Sequence, residues 1–434
     1  MAARHSVDPD RWQVGLDEVL GRIAGRFARV EPRRRARGFL LGLLAGLPRI
    51  NCWTIAEHAG DVSPDGMQDL LARAVWDAEA VRDDLRAYVV AHLGDPGSVL
   101  VVDETGDVKK GTATAGVQRQ YTGTAGRIEN AQVAVYLTYA APGGYAFIDR
   151  ALYLPACWTA DPGRCAAAGI PEGTGFATKP ALARRMIGAA VAAGVPARWV
   201  AGDEVYGADP LLRAEAVGHR LGYVLAIAST HRILTPAGMF TAASLAGRVP
   251  RHAWQPLSAG TGAKGLRWYD WALIDTVDAA ADPDRTGVHW LLIRRNRRTG
   301  ELAFYRAHAP TPVPLAELVR VAGTRWKIEE SFQSGKELTA LDQHQVRTWT
   351  SWHRWTVLAM LAHAFLSVMT ATEPPPAPGA GLIALTRNEI RRLFTAATTT
   401  IRTAAHHLHW STWRRRHQAR ARTSHYQRQQ AALT

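Results

Sequence analysis

Three carboxylates fall at positions where a folded chain could bring them together. Asp103 ends a short β-branched run, Asp203 follows a second such run, and Glu329 lies in a later segment of helical periodicity. Carboxylates are the ligands that hard divalent cations prefer, although each Asp taken singly is more typical of an ordinary turn at a strand end. In-line cleavage or joining of a DNA phosphodiester uses two such ions about 4 Å apart. The three residues therefore predict a two-ion site for phosphodiester chemistry.

The segment around Glu329 gives the sharpest signal. Arg325, Glu329 and Lys336 are four and seven residues apart, so a helix would place them on one face. A carboxylate between two cations suits combined metal and phosphate binding, and an exposed helix with (i, i+4) salt bridges is the alternative. Glu330 competes for the ligand role, but the spacing to Arg325 and Lys336 favours Glu329.

The elements that must position these residues follow a clear order along the chain. Hydrophobic periodicity predicts three strands, a helix, a strand, a helix and a strand, which would put Asp103 and Asp203 at strand ends in one sheet. The predicted strands are 99–102, 131–139, 145–154, 199–201 and 223–228, and the helices are 179–193 and 209–221.

The remaining segments differ in periodicity. Residues 11–94 have a helical pattern, and 54–75 have that of two short helices around a Gly turn, which indicates either a DNA-reading helix-turn-helix or a plain bundle. Residues 229–310 are β-rich and look inserted, with strand candidates at 268–274, 289–293 and 302–305 and a hairpin turn at 297–300. Helical pattern returns at 314–337 and 351–370, before a Pro-rich break at 373–378.

The formal charge of +14 is concentrated rather than spread. Residues 381–434 hold ten Arg against one acid, a net of +9, which favours a polyanion partner over the alternative of a solvated basic face. A second set of basic and aromatic side chains follows the first strand, and it would line DNA or form a solvated hairpin. The DNA-contact candidates from these two regions are Arg414, Arg415, Arg416, Lys109, Lys110, Arg119, Tyr121 and Arg127.

Composition excludes several classes. With 47% hydrophobic and 21% charged residues the chain is typical of a soluble globular protein. No uninterrupted apolar run reaches about 18 residues, and the N-terminus lacks the apolar core of a signal peptide, so we expect a cytoplasmic protein without a membrane segment. Cys52, Cys157 and Cys165 lack the spacing of a zinc or redox site.

Three short segments carry a family resemblance. Val101–Gly106, Gly202–Gly207 and Arg325–Glu330 with Lys336 resemble the catalytic blocks of DDE transposases encoded by bacterial insertion sequences, in the branch with a Tyr-Arg-Glu-Lys signature and a β insertion. The likeness spans roughly residues 95–370. The signature Tyr, expected three residues before Arg325, is Ala322 here, which puts its phosphate contact in doubt but not the metal site.

The resemblance implies an α/β fold: a ribonuclease-H-like catalytic core with a mixed five-stranded sheet and a β-rich insertion, between an all-α N-terminal domain and a helical basic C-terminal tail. It implies cut-and-paste transposition, with Asp103, Asp203 and Glu329 holding two Mg²⁺ ions, or Mn²⁺ in their place, and with Arg325 and Lys336 near the DNA backbone. The expected segments are a DNA-binding domain at 1–97, the core at 98–228 and 311–372, the insertion at 229–310, and the linker and basic region at 373–434.

The expected partners are double-stranded DNA, as terminal inverted repeats and target, and a second copy of the chain on that DNA, since cutting two ends needs two active sites. The expected location is the bacterial cytoplasm, at the nucleoid when DNA is bound. Two alternatives stay open: a domesticated transposase-derived DNA-binding protein, which usually has lost an acid, and a ribonuclease-H-like nuclease without strand transfer.

The insertion carries a further expectation. The resemblance implies release of the element through a hairpinned DNA end, which needs a base out of its stack and an aromatic surface to receive it. Trp268 and Trp271, near a Gly-rich turn, are the candidates for that surface, and burial in the core is the alternative for both.

Overall fold

The computed structural model describes residues 8–262, 265–284, 286–376 and 381–431. Residues 377–380, at the end of the predicted Pro-rich linker, and 432–434, at the end of the predicted basic region, lie outside this description. The chain divides into two compact units. The helical unit comprises 1–81, 335–346 and 350–434, and the sheet unit comprises 82–334 and 347–349. This division into two units does not test the boundaries of the five segments predicted from the sequence, which stay a prediction.

The helical unit combines the two ends of the chain. Its helices are α1 (Pro9–Ile23), α2 (Val30–Leu44), α3 (Cys52–Ala59), α4 (Asp65–Ala72), most of α14 (Trp349–Thr372), α15 (Arg387–Thr398) and α16 (Ala404–Ala431). The boundary between the units falls within α5 (Ala78–Leu93) and α13 (Trp326–Thr339). The two short helices predicted around a Gly turn are α3 and α4, and Gly60 ends α3 with φ +90°.

Large aromatic side chains form the core of the helical unit. Phe39 of α2 packs edge to face on Trp355 of α14, with ring centroids 5.3 Å apart. Arg354 donates a 2.9 Å hydrogen bond to the carbonyl of Trp76. Trp410 of the basic helix α16 is fully buried and donates to the carbonyl of Asp61 at 2.9 Å. The basic C-terminal region is therefore partly a core element, not a detached tail.

The sheet unit is a mixed α/β structure. Its strands are β1 (Val99–Val108), β2 (Gln118–Thr122), β3 (Arg127–Ala141), β4 (Gly144–Leu152), β5 (Trp199–Gly202), β6 (Gly222–Ile227), β7 (Arg232–Thr235), β8 (Gly238–Thr241), β9 (Gln255–Gly262), β10 (Gly265–Thr276), β11 (Val288–Asn296) and β12 (Leu302–Ala309). Its helices, besides its parts of α5, α13 and α14, are α6 (Ala156–Thr159), α7 (Pro162–Ala167), α8 (Lys179–Ala192), α9 (Glu204–Gly207), α10 (Pro210–Gly218), α11 (Ala242–Ala246) and α12 (Leu315–Thr324).

All five strands predicted for the core are present, as β1, β3, β4, β5 and β6. They lie in the order β4-β3-β1-β5-β6, with β1, β5 and β6 parallel to one another and β3 antiparallel to both of its neighbours. The apolar runs that end at Val102 and Gly202 are completely buried, which is why these segments form central strands. The helical stretch predicted at 314–337 is divided at Arg325 into α12 and α13.

The sheet contains more strands than the five predicted, because strands of the inserted segment join it. The path of the large sheet continues β6-β12-β11-β10-β9, and with β2, which also pairs with β3, the sheet contains ten strands. The junction is the antiparallel pair β6–β12, in which Leu225 lies opposite Arg306. The three strand candidates of the insertion lie within β10, β11 and β12, and the predicted turn at 297–300 joins β11 to β12. The insertion therefore extends the edge of the core sheet.

One helix, α14, is long and apolar enough to cross a membrane by length and composition alone. In its most apolar window, 83% of the residues are buried within the protein. The burial is that of the core helix of a globular protein.

Candidate active site

Asp103 and Asp203 lie at the carboxyl ends of adjacent parallel strands. Val102 of β1 is in register with Gly202 of β5, so the two Asp that follow them emerge side by side. Asp203 also caps the short helix α9, where its Oδ1 accepts a 2.9 Å hydrogen bond from the backbone N–H of Val205. The turn after β5 thus fixes the Asp203 carboxylate at the end of the sheet.

The two carboxyl groups oppose each other's ionisation. Burial raises the pKa of Asp103 to about 7, and the negative charges of Asp203 and Glu104 add to the rise. Burial also raises the pKa of Asp203, and the negative charge of Glu104 raises it further. Buried like charges of this kind are stabilised by a cation placed between them.

Arg325 and Glu329 complete the cluster from the helices that follow the sheet. The Arg325 guanidinium lies 3.5 Å from Oδ2 of Asp103 and 2.7 Å from Oε1 of Glu329. One side chain therefore bridges the first and third carboxylates. The structure brings together Asp103, Asp203, Arg325 and Glu329, and their roles stay a prediction.

Glu330 has a different environment from Glu329. Its Oε2 accepts a 2.6 Å hydrogen bond from the Tyr145 hydroxyl and a 2.9 Å bond from Lys327 Nζ. These contacts direct the carboxylate away from Arg325 and favour Glu329 as the third ligand. The assignment stays a prediction.

Sequence reasoning missed Glu104 as a member of the cluster. Its two carboxylate oxygens accept 2.6 Å hydrogen bonds from Lys179 Nζ and from the Tyr206 hydroxyl. Because side chains alternate along a strand, residues 103 and 104 are expected to face opposite sides of the sheet, so Glu104 was not predicted to join the cluster. The repeated Asp-Glu pairs at 103–104 and 203–204 were the available signal. Lys179 and Tyr206 tie Glu104 to α8 and α9, and so stiffen the strand end that carries Asp103.

A cavity of about 510 Å³ opens beside Asp203 and Arg325. The insertion contributes most of its wall, and aromatic and Arg side chains dominate it. Ala322, where the resemblance expects Tyr, also lies in the wall. The aromatic and basic lining residues are Tyr269, Trp271, Phe304, Tyr305, Trp326, Arg267, Arg294 and Arg325.

Trp268 and Trp271 lie in different environments. Trp268 is 50% exposed, whereas Trp271 is 1% exposed and donates a 3.2 Å hydrogen bond from its indole to the carbonyl of Leu257. Burial of Trp271 favours the packing alternative for that residue, although one surface of it borders the cavity. Trp268 remains the candidate for an exposed stacking surface.

The basic set after the first strand lies on the β2–β3 hairpin and its approach. Lys110, Arg119, Tyr121 and Arg127 are exposed, and β2 is a terminal strand of the sheet path. Arg127 pairs with Glu129 at 2.9 Å, and the half-buried Lys109 lies 3.9 Å from the Asp107 carboxylate. Whether this edge lines DNA stays a prediction.

The other candidate DNA contacts belong to the helical unit. Lys336 lies in α13 beyond the unit boundary. In α16, Arg414 is paired with Glu57 of α3, whereas Arg415 and Arg416 are exposed. A groove of about 280 Å³ in this unit is lined by Arg34, Arg35, Arg37, His58 and Arg402, among others. Because many Arg side chains lie in the helical unit, this unit carries a second basic surface.

The fold and the site together define an α/β protein with a partly buried cluster of three carboxylates at the end of its central strands. The chain belongs to the DDE superfamily endonucleases, whose family model matches residues 22–267. The match includes Asp103 and Asp203 and ends before Glu329.

Two individual proteins are similar to this chain. A probable transposase for insertion sequence element IS701 from Microchaete diplosiphon is 28% identical over 195 residues, which are 44% of this chain and 48% of that protein. The chain thus matches about half the length of this relative. The piggyBac transposase, in a cryo-EM structure of its synaptic complex with hairpin DNA, has a TM-score of 0.41 and 11% identity, covering 90% of this chain and 80% of that one.

Proposed function

We propose that this chain is the transposase of a bacterial insertion sequence, which cuts the element out of DNA and joins it to a target at a ribonuclease-H-like core. The observation that carries the proposal is the convergence of Asp103, Asp203 and Glu329 around Arg325. The order β4-β3-β1-β5-β6, with the first acid on the central strand, supports the ribonuclease-H-like assignment.

The residues fit Mg²⁺ by their donor chemistry. All three ligand candidates offer only oxygen atoms, and the pKa of Asp103 is raised by burial and then by the charges of Asp203 and Glu104, which a bound cation would offset. Mn²⁺ accepts the same ligands. When bound, a pair of such ions supplies an activated attacking oxygen and stabilises the leaving oxygen.

The side chains of this chain do the rest. Asp103, Asp203 and Glu329 hold the ions. Arg325 pairs with Asp103 and Glu329 in the free protein, and we infer that its guanidinium moves to the scissile phosphate when substrate enters, because Arg binds carboxylate and phosphate with the same planar donors. Glu104, held by Lys179 and Tyr206, positions the strand end.

The test uses isosteric variants. Asp103→Asn, Asp203→Asn and Glu329→Gln should each lose Mg²⁺-dependent nicking and strand transfer on plasmids carrying the DNA that flanks the coding sequence, and should retain DNA binding, because ligands of the ions contribute to chemistry more than to the phosphate grip. Glu330→Gln is the matched control. Near-wild-type cutting by Glu329→Gln with loss in Glu330→Gln would move the third ligand by one residue. Nicking without joined products would favour the nuclease alternative.

A hairpinned DNA end is the second-strand route that we propose. The support is the side chain of Trp268, which is 50% exposed and would stack on a base displaced by a sharp bend, since stacking contributes about 1–3 kcal/mol per base. Trp268→Ala should preserve first-strand nicking and lower the hairpin yield on denaturing gels. Equal loss of both steps would reject a role specific to the hairpin.

We propose that the chain works as a homodimer on paired terminal inverted repeats, in the bacterial cytoplasm and at the nucleoid. The requirement for two active sites at two DNA ends supports the dimer, and the basic helical unit supports binding to the DNA backbone. Mass photometry of the paired-end complex should give two chains per pair of ends. One chain per pair would contradict the proposal.

A further inference from the structure

A second cluster of metal-ligating side chains lies toward the end of β6 opposite to the carboxylates. His289 of β11 and His308 of β12 are directly opposite each other in register, and His308 is also opposite Tyr223, near the start of β6. Asp203, by contrast, follows Gly202, which is in register with Leu225 near the end of β6. The cluster and the active site therefore lie toward opposite ends of the same strand.

Three side chains in this cluster have the geometry of a ligand set. One ligand atom each from Asp282, His289 and His308 lies within 4.8 Å of the others, and all three residues are buried. Ligands of one tetrahedral ion at bond lengths of about 2.0–2.1 Å lie about 3.4 Å apart. On binding, the separations between these ligand atoms would therefore change by up to about 1.4 Å.

His308 supplies the independent observation. It is 1% exposed, and neither ring nitrogen makes a hydrogen bond within the described part of the chain. The backbone of Leu221 lies near the ring but does not meet the geometry of a hydrogen bond to it. Buried polar atoms are almost always satisfied, and an exception indicates an ion, a water molecule or a functional role.

Gly287 keeps the space beside His308 open. A Cβ atom at this position would lie 2.3 Å from Nε2 of His308. Its φ is outside the left-handed region, so space and not backbone conformation requires glycine here. Nε2 of His308 thus lies against a position where no side chain fits.

The other two ligands are already oriented by outer contacts. Asp282 accepts hydrogen bonds from the backbone N–H groups of Thr286 and Gly287, at 2.8 and 3.1 Å. His289 Nε2 lies 2.9 Å from Asp282 Oδ2, and its Nδ1 lies 3.4 Å from the Tyr223 hydroxyl. The Thr286, Gly287 and Tyr223 contacts are outer-shell partners of the kind typical of metal-binding His and carboxylate groups. The bond between Asp282 and His289 joins two of the proposed ligands and would give way to the ion.

We propose that Asp282, His289 and His308 form a site for a transition-metal ion of the zinc class. Two imidazoles and one carboxylate select Zn²⁺ and similar ions over Mg²⁺, which prefers an all-oxygen set. The ion would attach the 277–287 loop to β11 and β12 and hold the insertion in its place on the sheet. It is separate from the ions proposed for the carboxylates.

The first experiment measures metal in the full chain, purified without a histidine tag from zinc-supplemented medium. Elemental analysis should give one equivalent of zinc per chain, and chelation with EDTA should lower the thermal midpoint. His308→Gln should contain substoichiometric zinc and lose the response to EDTA. Asp284→Asn, an exposed carboxylate in the same loop, is the matched control and should behave as the wild type.

Two further measurements separate this site from other ligands. The Asp103→Asn, Asp203→Asn double variant should keep its zinc, which distinguishes failure here from failure of the proposed active site. X-ray absorption at the zinc edge of the wild type should show imidazole and oxygen scattering, a result that does not depend on whether His308→Gln folds. Zinc-free wild-type protein, sulfur in the first shell, zinc lost from the double variant, or zinc retained in His308→Gln would each overturn the proposal.

Discussion

Gly207→Ala tests how closely the turn that carries Asp203 is held to the sheet. Gly207 closes α9, and its N–H donates to the carbonyl of Asp203 at 2.9 Å. A Cβ at this position would lie 1.9 Å from the carbonyl oxygen of Ala226 in β6, which is 1.1 Å short of the 3.0 Å that real contacts respect. Either the turn or β6 must move by about that distance.

A shift of this size has two measurable effects. Misplacement by about 1 Å costs on the order of 100-fold in the rate of a positioned reaction, so nicking by the variant should fall by that factor. Overpacking a buried position costs about 1–3 kcal/mol of unfolding free energy, which urea denaturation measures.

Gly218→Ala is the control for this substitution. Gly218 is exposed at the end of α10, and an added Cβ meets nothing within 4 Å. Its nicking rate should be that of the wild type, and its stability should be unchanged or higher by about 0.4–1 kcal/mol. Wild-type nicking and an unchanged denaturation midpoint in Gly207→Ala would refute the argument that this close approach positions Asp203.

Three other perturbations have expected outcomes. Asp278→Asn should cost about 3–5 kcal/mol of unfolding free energy in urea denaturation, because the buried carboxylate lies 2.7 Å from Arg213 and 3.0 Å from Arg306. These contacts lower the pKa of Asp278 below 3.8, so the stability they provide should be present at neutral pH and be lost as pH falls through that lowered pKa. An unchanged acid transition in the variant would contradict this expectation. Trp271→Ala should cost about 3–5 kcal/mol and Trp268→Ala within about 0.5 kcal/mol by thermal denaturation, so equal costs would contradict their different burial. The double variant Arg415→Ala, Arg416→Ala should reduce the slope of log K for DNA binding against log salt concentration by about two units, and an unchanged slope would mean that neither side chain contacts phosphate. Point substitutions are needed because deleting 381–434 would remove Trp410 from the core.

The sequence predicted the parts of the fold that depend on local pattern. The buried run Val99–Val102 and its counterpart at 199–202 are continuous apolar segments, so both strands and the Asp residues that end them could be placed. Convergence of the two Asp followed because parallel neighbours end at the same edge of a sheet.

Other features depend on pairing that no local pattern carries. β2 is polar and β9 contains glycine, serine and threonine, so neither has the alternation that predicts a strand. The β6–β12 pair joins segments about 75 residues apart, and nothing within either segment specifies its partner. The Arg325 bridge and the burial of Trp271 likewise depend on tertiary packing.

The β6–β12 pair also sets the order in which the protein can mature on the ribosome. β6 is synthesised about 75 residues before β12, so one of its edges lacks a partner while the whole insertion is made. An apolar strand with an open edge is a template for pairing with other chains. Nascent chains that stop within the insertion should therefore aggregate. Because Glu329 follows β12, only a chain that has passed this stage contains all three carboxylates.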